Sequence, residues 1–119
     1  MTITGNTIRR ILVVEDDYLI ANEVAGHLTV HGVDVVGPVG EIDAALEAIM
    51  RTERLDGAVV DINLHGVSGF AVADALADRG VPFVFATGYD RAAIPSRFAA
   101  IGRLQKPVVL GDLSRALSL

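Results

Sequence analysis

The sequence predicts an α/β domain: a doubly wound parallel sheet of five strands with helices on both faces. Three observations carry this. Short apolar runs bounded by turn residues recur along the chain, the form that strands buried on both faces take in a sequence. Between them lie segments with apolar residues at helical spacing. The two kinds alternate from end to end without a repeat, linker or low-complexity tract, and such alternation winds into a parallel sheet through right-handed crossovers. The chain has 119 residues, 51% of them hydrophobic and 5% aromatic. That is enough for one aliphatic core and too little chain for two, so residues 1–119 form a single domain.

Residues 1–8 precede the first apolar run and read as a flexible N-terminal extension. Ile11-Leu12-Val13-Val14 is the first buried strand, closed by Glu15-Asp16-Asp17. Over residues 18–31, Ile20, Val24 and Leu28 mark one helix face; Asp17 caps the start of that helix and Gly32 closes it. Val33-Asp34-Val35-Val36 half-alternates, reads as an edge strand, and is stopped by Gly37-Pro38. Ile42, Ala45, Leu46, Ile49 and Met50 give the clearest helical stripe. Asp56-Gly57 turns the chain into Ala58-Val59-Val60, a run that ends on Asp61, a carboxylate on a rigid element facing solvent. Ser68 is positioned to cap a third helix, with Phe70, Ala73 and Ala77 inward and Gly80 as its stop. Residues 81–86 form the fourth strand, with Pro82 tolerated near its start. In residues 89–101, Ile94-Pro95 either interrupts a helix or places Pro95 at its first position. Arg103-Leu104-Gln105 is a short fifth strand, and Leu110, Leu113 and Leu117 mark a last helix.

Composition removes several classes of function. A net charge of −5 with scattered Lys and Arg offers no basic stripe for nucleic acid. With no cysteine there is no disulfide framework, thiolate zinc site or thiol redox centre. No apolar stretch approaches membrane-spanning length, and residues 1–10 lack the apolar core of a secretory signal. The expectation is a soluble cytoplasmic domain.

Polar residues collect at the carboxyl ends of the strands: Glu15 and Asp16, Asp61, Thr87 and Lys106. In an open α/β sheet, ligands bind outside these ends at the point where the strand order reverses. With the flavodoxin-like order 2-1-3-4-5, the first and third strands are neighbours there, and three carboxylates converge. Their mutual repulsion calls for a cation, and hard oxygen donors with room for water suit Mg²⁺. Thr87 adds a hydroxyl and Lys106 a compact positive charge. Together these groups suit a phosphoryl ligand.

The pattern Val14-Glu15-Asp16-Asp17, Asp61, Thr87 and Gln105-Lys106-Pro107, in that order and on those strand ends, resembles the receiver domain of bacterial response regulators. Each motif alone is weak, but four in register are strong, and they cover all but the first few residues. Phe85-Ala86-Thr87-Gly88-Tyr89 further resembles the "FAT GUY" group of receivers, often stand-alone, although Asp90 replaces the aromatic that follows in that group. The resemblance implies that Asp61 accepts a phosphoryl group from the phosphohistidine of a histidine kinase or phosphotransfer protein. It implies Mg²⁺ held by Glu15, Asp16, Asp61 and the backbone carbonyl of Asn63. It also implies Lys106 on one phosphoryl oxygen, Thr87 on another, and a cis Lys106-Pro107 bond. The expected role is a stand-alone signalling domain, not an enzyme, acting through contact with a downstream protein or as a phosphate relay or sink.

Two rival readings fit the residues less well. A receiver-like adaptor that is never phosphorylated would have no use for the full acidic set. An aspartyl-phosphate phosphatase of the haloacid dehalogenase type wants Asp-x-Asp after the first strand, whereas Asp61-Ile62-Asn63 follows the third. No P-loop or G-x-G-x-x-G is present. His27 and His31 lie four apart on the first helix without a third metal ligand, and His65 belongs to the loop beside the site. Arg103 stands where most receivers carry a Tyr or Phe, so a buried aromatic switch on the fifth strand is not expected. The small residues Ala92, Ala93, Ala99 and Ala100 suggest that residues 89–101 are loosely anchored.

Overall fold

The computed structural model describes residues 8–88 and 94–119. Five parallel strands form the sheet: β1 (Arg10–Val14), β2 (Asp34–Val39), β3 (Gly57–Asp61), β6 (Phe83–Thr87) and β7 (Arg103–Gln105). Their order is β2-β1-β3-β6-β7, which is the 2-1-3-4-5 pattern once a small hairpin, β4 (Asn63–Leu64) with β5 (Val67–Ser68), is set aside. On one face lie α1 (Tyr18–Val30) and α4 (Leu110–Ala116); on the other lie α2 (Ile42–Arg51) and α3 (Phe70–Asp78). The central strands β3 and β6 are buried at every position, as their continuous apolar runs require. Among the described residues no helix is long and apolar enough to cross a membrane.

Alternation along β1 sorts the core into two halves. Leu12 and Val14 face α2 and α3, while Ile11 and Val13 face α1 and α4. Asp17 caps α1 as expected, its Oδ1 accepting the N–H groups of Leu19 at 2.9 Å and Ile20 at 3.1 Å.

Gly37-Pro38 does not stop the second strand, which runs on to Val39. The register with β1 gains one residue between Leu12↔Val36 and Val14↔Val39. This bulge on an edge strand absorbs the proline, and Gly37 supplies the positive φ of 89°. Both Gly37-Pro38 and Lys106-Pro107 are cis.

Three side-chain expectations fail. Met50 is 81% exposed because the contact line of α2 runs through Ala45 and Ile49, leaving Met50 beyond its edge. Ala77 is exposed because α3 turns its bulkier Val72 and Leu76 inward beside Ala73. Ser68 is not a cap: it pairs with Asn63 in the hairpin, and Gly69 begins α3. Close packing dictates that glycine, since a Cβ there would lie 2.3 Å from the Asp61 carbonyl oxygen.

No fourth full helix stands between β6 and β7 among the described residues. Pro95 instead precedes a single 3-10 turn, Ser96–Phe98. The turn is anchored by Phe98, 4% exposed and packed with Phe70, Phe83 and Phe85, all the phenylalanines of the chain. The expectation of loose anchoring therefore fails for residues 94–101, with Ile94 and Ile101 also against the core. The remainder of that expectation, residues 89–93, and residues 1–7 of the N-terminal extension lie outside the described residues. Ile8 is exposed, with its carbonyl accepting from Arg54.

Candidate functional site

Glu15 and Asp16 follow β1, and Asp61 ends the neighbouring β3. Bonding of the Glu15 N–H to the Val39 carbonyl at 2.9 Å carries the sheet geometry one residue past β1. The switch in strand order thus brings the three carboxylates together, with one oxygen from each within 4.8 Å of the others. Asp61 is 3% exposed, so it lies deep in the site instead of standing in solvent. Lys106 follows β7, held by its backbone N–H to the Thr87 carbonyl at 2.8 Å. Its ammonium reaches across the strand ends and bonds Glu15 Oε1 and Asp61 Oδ2, each at 2.8 Å.

Backbone donors fix the remaining oxygens. Glu15 Oε2 accepts from the Asp17 N–H at 3.0 Å, and Asp61 Oδ1 from the Asn63 N–H at 2.9 Å. Asp16 Oδ2 accepts from the His65 N–H at 2.9 Å, and the His65 ring Nδ1 lies 3.6 Å from the same oxygen. The hairpin makes this last contact possible. His65 and Gly66, at φ 50° and 83°, form its two-residue turn, and positive φ at both positions is the mark of a type I′ turn. Asn63 Oδ1 accepts from the Gly66 N–H at 2.8 Å and braces the turn from within. The sequence reading identified a polar turn here but missed the hairpin, whose only signal is a His-Gly pair between short β-compatible segments.

Above these groups opens a cavity of about 520 Å³, lined among others by Asp16, Asp61, Asn63, His65, Gly88 and Lys106. Thr87 is buried at the end of β6, one residue past Ala86, the register partner of Asp61. Every sequence-predicted site residue therefore lies at one end of the sheet. Tyr89, the last residue of the subgroup signature, is outside the described residues.

Electrostatics follow from burial and charge. Burial pushes the Glu15 carboxyl up to about 7, only partly offset by bonds from Lys106 and the Asp17 N–H, while Asp61 nearby adds to the rise. Burial alone would raise Asp16 as well, but the His65 N–H and hydrogen bonds with Glu15 and Asp61 outweigh it and hold that carboxyl below its ordinary range. Lys106 is opposed by burial, yet its bonds to Asp61 and Glu15 win and raise it. The resident ammonium thus neutralises only part of the acidic charge. Three hard carboxylate oxygens at this spacing fit a small divalent cation such as Mg²⁺.

The response regulator receiver domain model matches residues 11–118. The chain belongs to the response-regulator receiver family. Over 81 residues it is 40% identical to the heme response regulator HssR of Staphylococcus aureus (strain Newman), a match that covers 66% of this chain and 35% of that protein. The chain thus spans about a third of that relative's length. Among solved structures, SdrG from Sphingomonas melonis Fr1 is 38% identical with a TM-score of 0.81, covering 93% of this chain and 94% of that one. A CheY-like receiver domain protein from Methanospirillum hungatei JF-1 is 27% identical with a TM-score of 0.80, covering 94% and 92%. Receivers of two-component systems bind Mg²⁺ at an acidic pocket and interact with histidine kinases or phosphotransfer proteins.

The remaining candidates lie elsewhere. His27 Nε2 is 2.5 Å from Ser114 Oγ, tying α1 to α4, and His31 Nδ1 is 3.0 Å from the His27 carbonyl. Among the described residues neither histidine belongs to a cluster able to hold a metal. Arg103 is exposed on the edge strand β7.

Proposed function

We propose that this receiver accepts a phosphoryl group on Asp61 from the phosphohistidine of a histidine kinase or phosphotransfer protein. The observation that carries the reading is the bridge from Lys106 Nζ to Glu15 and Asp61, 2.8 Å each way, beside the three-carboxylate cluster. An Asp61 carboxylate oxygen attacks phosphorus; the O–P bond forms as the P–N bond breaks, and the imidazole leaves. Glu15, Asp16, Asp61 and the Asn63 carbonyl would hold Mg²⁺, which would supply charge neutralisation for the phosphoryl oxygens. Lys106 turns from its carboxylates to a phosphoryl oxygen, and Thr87 donates to another. Positioning and charge neutralisation supply nearly all the catalysis that phosphoryl transfer needs.

In this reading the chain is a phosphoacceptor and not a multi-turnover enzyme. It works in the cytoplasm as a signalling unit of the "FAT GUY" type, through protein contact or as a relay or sink. SdrG, which has a solved BeF3-activated conformation, gives precedent for beryllofluoride as a probe. Mass spectrometry after incubation with Mg²⁺ and a small-molecule phosphodonor tests the chemistry. A phosphoryl adduct on the wild type that is missing from Asp61→Asn supports it; equal labelling of both overturns it.

A further inference from the structure

A second open cavity, of about 570 Å³, lies between the start of α2 and the hairpin, lined by Glu41, Ile42, Asp43, Leu64, His65 and Val67. Its apolar part is Ile42, the buried Leu64 and Val67, the last of them 57% exposed. The I′ turn gives no reason for an exposed valine, since His65, Gly66 and Asn63 already meet its backbone demands. Glu41 and Asp43 stand exposed at the rim. Among the described residues neither carboxylate has a hydrogen-bond or ion-pair partner, and Glu41, at the N-cap of α2, does not cap it. Apolar surface flanked by unpaired acids matches a segment that is apolar on one side and basic beside it.

We infer that this groove docks a segment of a partner protein that places Leu, Ile or Met against Leu64 and Val67 and Lys or Arg toward Glu41 and Asp43. An anionic membrane surface is disfavoured by the same two carboxylates and the chain's net charge of −5. The groove is separate from the phosphoryl cavity, and His65 is the wall the two share.

The test titrates the isotope-labelled full chain with two synthetic amphipathic helical peptides, one built of Leu and Lys and the other of Leu and Glu, while following backbone amide resonances. The Leu/Lys peptide should shift residues 41–43 and 64–67, and the Leu/Glu peptide should not. Val67→Asp, and separately Glu41→Lys with Asp43→Lys, should each weaken that binding by roughly tenfold or more, whereas Val67→Thr should keep most of it. Shifts spread over the acidic surface at large, or confined to the cavity around Asp61, would overturn the inference. So would unchanged affinity in both disruptive variants. Concentration-dependent self-association that maps to the groove without peptide would also overturn it, by showing that a second copy covers the face.

Discussion

At the scale of single residues, Lys106 has the most demanding geometry. A compact ammonium with three donors can meet Glu15 and Asp61 at 2.8 Å each, while the planar guanidinium fork of arginine spreads its donors in fixed directions. Lys106→Arg should leave the fold intact by circular dichroism and slow phosphorylation by a small-molecule donor by roughly tenfold to a hundredfold. A wild-type rate in that variant would remove Lys106 from the chemistry. Glu15 makes the second prediction. Its folded value of about 7 lies above the ordinary 4.5, so its contribution to stability is full below 4.5 and lost as pH rises through about 7. In chelator, the melting temperature should therefore fall between about pH 5 and 8, and Glu15→Gln should flatten that slope. Asp16, held low, acts in the opposite sense but only in more acidic solution. Because a cation binds the ionised carboxylate, stabilisation by Mg²⁺ should grow across the same window. A melting temperature that rises over that window in chelator would contradict the Glu15 assignment.

At the scale of elements, the join between β3 and α3 and the turn before β7 decide the most. Gly69→Ala would drive a Cβ into the carbonyl of Asp61, and backbone cannot yield as a flexible side chain can. A loss of about 1–3 kcal/mol in chemical denaturation is expected, together with lower phosphorylation yield, because the displaced atom belongs to the proposed acceptor. The turn at Ser96–Phe98 is held by Phe98 in its aromatic cluster and by Arg97, which bonds both Asp74 oxygens at 2.8 and 3.0 Å and lies over the Phe98 ring. Amide exchange at Phe98, Ala99 and Ile101, whose N–H groups are bonded within the turn, should therefore stay protected when Mg²⁺ and beryllofluoride are added. Phe98→Ala, at a cost to stability of about 3–5 kcal/mol, should abolish that protection. These two elements are also where the sequence was hardest to read. A lone phenylalanine among alanines makes no periodic pattern, so its partners in α3 and β6 are invisible until the fold closes. Ser68 satisfies a local capping preference that a backbone contact with Asp61 overrides, and Gly37-Pro38 breaks a strand only when no bulge is available to take it in.

At the scale of the whole molecule, the site was legible because topology did the assembling. Strand ends are easy to find when β3 and β6 are unbroken apolar runs, and the order β2-β1-β3-β6-β7 sets Glu15, Asp16 and Asp61 side by side without any loop geometry being known. Contacts that depend on turn conformation, such as that of His65 with Asp16, could not be read in this way. Charge balance gives the prediction for the domain entire. Three carboxylates face one ammonium, so millimolar Mg²⁺ should raise the melting temperature by linkage. Asp16→Asn should remove most of the Mg²⁺ effect without raising the melting temperature of the metal-free protein, because the fold favours the ionised Asp16 carboxylate; a wild-type response to Mg²⁺ in that variant would exclude Asp16 from the cation site.

The anchored turn has one more consequence, which concerns observation. The chain has no tryptophan, and Phe98 sits buried among Phe70, Phe83 and Phe85. Phe98→Trp would place the only indole of the protein in that cluster, and its emission would report whether the turn stays seated.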